Sequence, residues 1–285
     1  MRASLKHLMP RLLLYILVVI IVVWTIAPYL WLIISSFSSK LDLLTVPLRW
    51  IPSRPTLENY RSLFFEYGGE SVNVRLFIKS LTNSVIISLS TMGIATILGV
   101  LAAYAIARLR FRGNQGMILT MMSIQLIPPI ILVIPLYMIM RQAKLLDTHL
   151  GLIIVDLSIA LPLVIWLMRS YFASIPSELE DAARIDGCTY LDALFRIVLP
   201  LSGPGLVSVM IFAFIASWNE YLYAFIYTNI NAKTLPVLIG EFSTKLGLEY
   251  LKIAAAGVLA SLPPVFLALI FQRFIIRGLT AGAIK

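Results

Sequence analysis

Leu179-Glu180-Asp181-Ala182-Ala183-Arg184-Ile185-Asp186-Gly187, running on through Leu199-Pro200, separates two long hydrophobic runs. Its spacing predicts a short helix, a turn and a second helix. Pro176 and Ser177 give a start signal, and Glu178, Glu180 and Asp181 fill the first turn, where the helix dipole favours acids. Ala182 and Ala183 favour helix and leave no bulk. Gly187 can take the positive φ that ends a helix. Thr189 can cap the next helix, with Asp192 three residues on. Phe195, Ile197 and Leu199 then present an apolar edge, and Pro200 marks the return to the hydrophobic phase. An interfacial helix resting on anionic lipid prefers Lys and Arg. This one has more acids than bases, so its small face is better suited to a groove on another protein.

The flanking composition sets the solvent. Hydrophobic residues make up 60% of the 285 and charged residues 13%, against roughly a quarter charged in a soluble domain. Mean hydropathy is +0.92. A soluble fold of this length could not hide so much apolar surface, so the solvent is largely lipid. Runs near the roughly 20 residues a bilayer core requires occur at Leu12–Phe37, Leu81–Ala107, Met117–Met140, Gly151–Met168, Leu206–Tyr227 and Ile253–Phe271. Backbone groups in lipid must be satisfied internally, so these runs are read as helices and the chain as an all-α integral membrane protein. Pro128-Pro129, Pro135, Pro162 and Pro263-Pro264 imply kinks packed against protein or a watery cavity. The first run exceeds a signal peptide's apolar core and is expected to stay as an uncleaved helix.

A net charge of +9 would suggest nucleic acid in a soluble protein. Here the cations lie between spans, where they contact lipid headgroups and set orientation. Total Lys and Arg counts on the two sides are similar. The short Arg108-Arg110-Arg112 cluster, free of acids at a helix end, favours both termini in the cytoplasm. One cysteine, Cys188, excludes an intrachain disulfide and a cysteine metal cluster. His7 and His149 have no metal-ligand companions, so no metal site is expected. Two outer segments, Lys40–Lys79 and Ala232–Lys252, read either as connectors or as a docking face for an extracellular partner.

The stretch Asp181-Ala182-Ala183, Asp186-Gly187, Phe195, Ile197 and Leu199-Pro200 resembles the cytoplasmic EAA loop of bacterial and archaeal ABC importer permeases. Further along the chain, Asn59-Tyr60, Tyr104-Ala105-Ile106-Ala107-Arg108, Trp218-Asn219-Glu220 and the tail Arg277–Lys285 are similar to the second membrane subunit of maltose-type sugar importers. The resemblance implies the type I permease fold, with six transmembrane helices in one domain over residues 1–285. It implies a cytoplasmic coupling helix between the fourth and fifth spans, within a coupling loop over 173–200. Asp181, Ala182, Ala183, Arg184, Ile185, Asp186, Gly187 and Pro200 would then couple the chain to an ATPase. The family's leading glutamate aligns with Asp181, which keeps the charge but is one methylene shorter. The implied partners are a second permease subunit, two ATPases holding ATP and Mg, and an extracellular or periplasmic solute-binding protein. The implied cargo is a disaccharide or oligosaccharide of the maltose or trehalose type. The expected place is the cell membrane, with no cofactor in the chain.

Polar residues inside the spans are candidates for the translocation path. A charge at the bilayer centre costs about 3 kcal/mol on insertion scales, so Asp156 and Glu220 should face protein or water. Asn83, Gln125, Asn219 and Glu220 are candidate path residues, with helix-to-helix bonding as the plainer alternative. A different class of carrier, coupled to ions through Asp156 and Glu220, would show inverted repeats. None is visible. Neither a P-loop nor the Gly-x-Ser-x-Gly or His-Glu-x-x-His patterns occur.

Overall fold

Helix is the only regular structure among the described residues, as expected of a chain whose backbone must satisfy itself in lipid. The computed structural model describes residues 2–46, 49–65, 71–109, 111–242 and 249–280, with side chains omitted for 2–10, 43–44, 71–73 and 276–280. Arg110 and the tail residues 281–285 therefore lie outside the described residues. In chain order the helices are α1 (Arg2–Ser36), α2 (Lys40–Leu44), α3 (Glu58–Phe64), α4 (Ser71–Arg108), α5 (Asn114–Ile124), α6 (Pro129–Gln142) and α7 (His149–Ser174). They continue with α8 (Glu178–Ile185), α9 (Tyr190–Ala193), a π turn (Leu194–Val198), α10 (Leu199–Leu201), α11 (Gly203–Trp218), α12 (Leu222–Tyr227), α13 (Leu235–Glu241) and α14 (Tyr250–Thr280). Four helices are long and apolar enough to cross a bilayer alone. Two bent pairs, α5 with α6 and Tyr190–Leu201 with α11, bring the total to six.

The chain divides into two units, residues 1–75 with 239–261 and residues 76–238 with 262–285. In the first, α1 shows almost its whole apolar surface, from Leu12 to Trp24. Beyond its end, the segment that follows is knitted by side chains. Buried Asp42 accepts from the hydroxyls of Ser39 and Ser53 at 2.7 and 2.6 Å. Asn59 donates to the carbonyls of Ser36 and Ser38, both at 2.9 Å. Tyr60 meets the Ser36 hydroxyl at 2.7 Å, and Trp31 and Trp50 pack edge to face.

In the second unit, α4, α7 and α11 share a core that includes Tyr104, Val164, Met168, Phe172, Leu194, Val198 and Val209. Small residues let backbones close in, as is usual where lipid supplies no hydrophobic drive between helices. A Cβ on Gly99 of α4 would strike Val164 of α7, and one on Gly205 of α11 would strike the Tyr171 ring.

Two expected spans are not single helices. The third, expected over Met117–Met140, bends by 98° between Ile124 and Pro129. Pro128 cannot donate an N–H and drives Ile127 away from helix, while Pro129 restarts the chain as the first residue of α6. The fifth, expected over Leu206–Tyr227, stops at Trp218 and resumes at Leu222. Asn219, Glu220 and Tyr221 form the break, so Glu220 does not sit within a continuous helix. Pro162 and Pro263-Pro264, by contrast, lie inside unbroken α7 and α14.

Candidate functional site

The hairpin at α8 is closed by local chemistry alone. Gly187 has φ +90°, and its N–H donates to the Arg184 carbonyl at 3.1 Å, while the Cys188 N–H reaches the Ala183 carbonyl at 3.0 Å. These two bonds form a Schellman motif, which satisfies carbonyls that the helix end would otherwise orphan. Two residues on, Thr189 caps α9. Its hydroxyl accepts from the Asp192 N–H at 3.2 Å, and the Thr189 N–H donates to the Asp192 carboxylate at 3.1 Å. The Arg184 guanidinium lies 4.2 Å from the centre of the Tyr190 ring, pinning the two arms together.

The hairpin's two faces differ. Asp181, Ala182, Arg184, Ile185, Asp186 and Gly187 are exposed, Ile185 at 87%. Ala183 is buried and Pro200 is exposed within α10. Of the edge read in the sequence, Phe195 is exposed while Ile197 and Leu199 are half-buried. The π turn at Leu194–Val198 turns Leu194 and Val198 into the core instead. An exposed Ile thus lies beside two small residues and two acids, on a hairpin capped at both turns.

Glu180 is the residue that sequence reasoning passed over as one more first-turn acid. It is buried at 5% exposure. Its Oε1 lies 2.5 Å from Nε of Arg108 at the end of α4, an ion pair without the alignment of a hydrogen bond. Its Oε2 accepts from the Tyr104 hydroxyl at 2.9 Å, and Arg108 also donates from Nη2 to the Ile175 carbonyl at 2.7 Å. Leu179 and Asp181 on either side are exposed.

The candidate path residues are not gathered into one site. Buried Asn83 uses its amide to hold the Asn231 and Lys233 carbonyls, both at 2.9 Å, and its Oδ1 meets His149 Nε2 at 2.7 Å. Gln125 is exposed at the α5 break and donates to the Ile159 carbonyl at 3.2 Å. It lines a pocket of about 180 Å³ with Met121, Pro162, Trp166 and Arg169. Glu220 accepts from the N–H groups of Tyr223 and Ala224 at 2.7 and 2.9 Å, starting α12 after the break. Asn219 is exposed beside it. Asp156 is buried and accepts from the Ser217 hydroxyl. Asp156 and Glu220 thus hold separate structural partners. No group of three His, Cys, Asp or Glu side chains among the described residues could hold a metal ion.

At the end of the second unit away from α8, Asp147 organises a tight corner. Its carboxylate accepts from the N–H groups of Asn229, Ile230, Asn231 and Ala232 at 3.0 to 3.3 Å. Burial pushes its pKa up, but those four donors outweigh the burial and hold the carboxyl below its usual value.

The family model described as binding-protein-dependent transport system inner membrane component matches residues 95–281. The trehalose transport system permease protein SugB of Mycobacterium tuberculosis is 40% identical over 269 residues, 93% of this chain and 94% of its own. The sulfoquinovosyl glycerol transport system permease protein SmoH of Agrobacterium fabrum is 35% identical, covering 90% and 88%. The trehalose/maltose transport system permease protein MalG of Thermococcus litoralis is 32% identical, covering 98% and 99%. Among solved structures, a chain of a bacterial ABC transporter that imports the acidic polysaccharide alginate superposes with a TM-score of 0.74. It is 23% identical and covers 92% of this chain and 95% of its own, a likeness of fold.

Proposed function

Because this chain belongs to the family of binding-protein-dependent transport system inner membrane components, we propose that it is one membrane-spanning half of an ATP-driven sugar importer. It pairs with a second, different permease subunit. Two ATPase subunits supply ATP and Mg²⁺ on the cytoplasmic side, where both termini of this chain lie. A solute-binding protein delivers sugar at the opposite side. The cargo is a disaccharide or oligosaccharide of the maltose or trehalose type, in keeping with the glycosides that three relatives are named for. The chain makes and breaks no covalent bond, and its spans alternate between inward-open and outward-open arrangements.

The observation that carries the coupling reading is the exposed face of α8 with its Gly187 turn. ATPase closure moves α8 inward, and Asp181, Ala182, Arg184, Ile185 and Asp186 fill the ATPase groove. The Schellman turn keeps the hairpin stiff, so displacement is not absorbed by bending. Asp181 meets a basic group of the ATPase in a charge-assisted contact. Asn219 and Gln125, exposed at the two span breaks, are the better candidates for lining the path. Asn83 and Glu220 hold the walls in place. The test is capture of the ATPase subunit by the purified chain and by Gly187→Leu. Loss of capture by a well-folded variant supports the reading. Wild-type capture and uptake by that variant would remove it.

A further inference from the structure

We infer that Glu180, Arg108 and Tyr104 form a positioning link that makes α8 and the Arg108 end of α4 move as one body. The inference rests on the proposal that α8 receives the ATPase's motion. It adds a route by which that motion enters the membrane. Covalent connection and packing tie α8 to α9 and the π turn, and through them to α11. Nothing in the chain order ties α8 to α4, since Tyr104 and Glu180 are 76 positions apart. The tie is made by side chains. Glu180 enters from α8 and meets both Arg108 and Tyr104, one turn apart on α4. Arg108 simultaneously holds the Ile175 carbonyl at the C-cap of α7. Tyr104 packs edge-on against Phe172 of α7, with ring centres 6.1 Å apart. One carboxylate therefore connects the lever to α4, which it does not follow in sequence, and through Arg108 and Tyr104 to the end of α7, the span that precedes it.

Burial decides that this contact transmits force and does not merely decorate a surface. The Arg108 and Glu180 side chains are 13% and 7% exposed. An exposed pair exchanges its partners for water at little cost, but a buried pair cannot separate without stranding both charges. The cation also sits in the last turn of α4, where the helix dipole favours it. Separation during the transport cycle is therefore the costly path, and joint movement is the cheap one.

The test uses the complete importer in liposomes, spin-labelled at native Cys188 beyond α8 and at Leu109→Cys beyond α4. The expected result in otherwise wild-type protein is one distance, unchanged between the nucleotide-free and ATP-bound states. In Glu180→Ala the distance should shift or broaden with ATP. Stimulation of ATP hydrolysis by the binding protein should fall about tenfold, within the range known for residues that carry coupling, while basal hydrolysis is kept. The swap of Glu180→Arg with Arg108→Glu should recover part of that loss, which a general packing defect would not allow. A change of several ångströms in the wild-type distance overturns the link, whether or not Glu180→Ala folds. Undiminished stimulation in a folded Glu180→Ala overturns it too. If ATPases fail to copurify with the wild-type chain, the coupling proposal fails and the link with it. If they copurify and the distance changes, only the link fails.

Discussion

The two ends of the second unit use polar residues in opposite ways. At the Asp147 end, one carboxylate gathers four backbone N–H groups and one amide gathers two carbonyls. Those groups have no capacity left for a partner. At the α8 end the hairpin satisfies its own backbone through local caps, and its outward side chains, Asp181 to Asp186 apart from Ala183, stay exposed. Of its charged side chains only Glu180 is buried. The first end behaves as a fixed corner. The second is a capped hairpin tied to α4 through Glu180. On the proposed function, stability is concentrated in the fixed corner, and the exposed face of α8 contributes little to it.

Substitutions at the two ends should therefore separate stability from coupling. The largest loss of stability is expected for Asp147→Ala, about 3 kcal/mol, because several charge-assisted bonds go at once. A clear fall in melting temperature would report it, with ATP hydrolysis per intact complex unchanged. The same carboxyl gives a pH signature. Its folded pKa is depressed, so its contribution is present above the unfolded value of about 4 and is lost as pH falls through the folded value. Wild type should lose stability in acid relative to Asp147→Ala, and parallel pH curves would contradict the assignment.

Asn83→Leu should cost about 2 kcal/mol, since two carbonyls, the buried one of Lys233 among them, lose their donor. Thermal melting of the detergent-solubilised complex measures it. At the other end, Gly187→Ala should cost only about 1 kcal/mol, the penalty of a left-handed backbone for a residue with a Cβ. A Cβ there meets nothing within 4 Å in this chain, so any larger loss of ATPase capture comes from the partner's groove. Smallest of all, Asp181→Lys should change stability by less than about 0.5 kcal/mol, as exposed sites do. It should nonetheless weaken ATPase capture, and equal capture by both forms would make Asp181 a solvated acid.

What the sequence disclosed follows the range of the interactions. The hairpin was legible because its signals are local: Gly187 for the turn, Thr189 with Asp192 for the cap. The break at Pro128-Pro129 was marked by prolines, although its angle was not. The break at Asn219–Tyr221 carried no Pro or Gly, and an apolar run on both sides hid it. Glu220 consequently looked like a charge in mid-span and is a start signal for α12. The burial of Glu180 was invisible because its partners come from α4, and no local rule distinguishes it from Glu178 or Asp181. Asn83 was ambiguous for the same reason, since its carbonyl partners lie about 150 positions away.

On the proposed function, the α8 turn meets the ATPase. Cys188, free and half-buried at the end of that turn, is the single cysteine in the chain. A short photo-crosslinker attached there in the assembled importer should form an adduct with the ATPase subunit, at a yield that changes on addition of ATP. The same reagent at Asn229→Cys, by the Asp147 corner, should give none. ATPase adducts from Asn229→Cys and none from Cys188 would contradict the account.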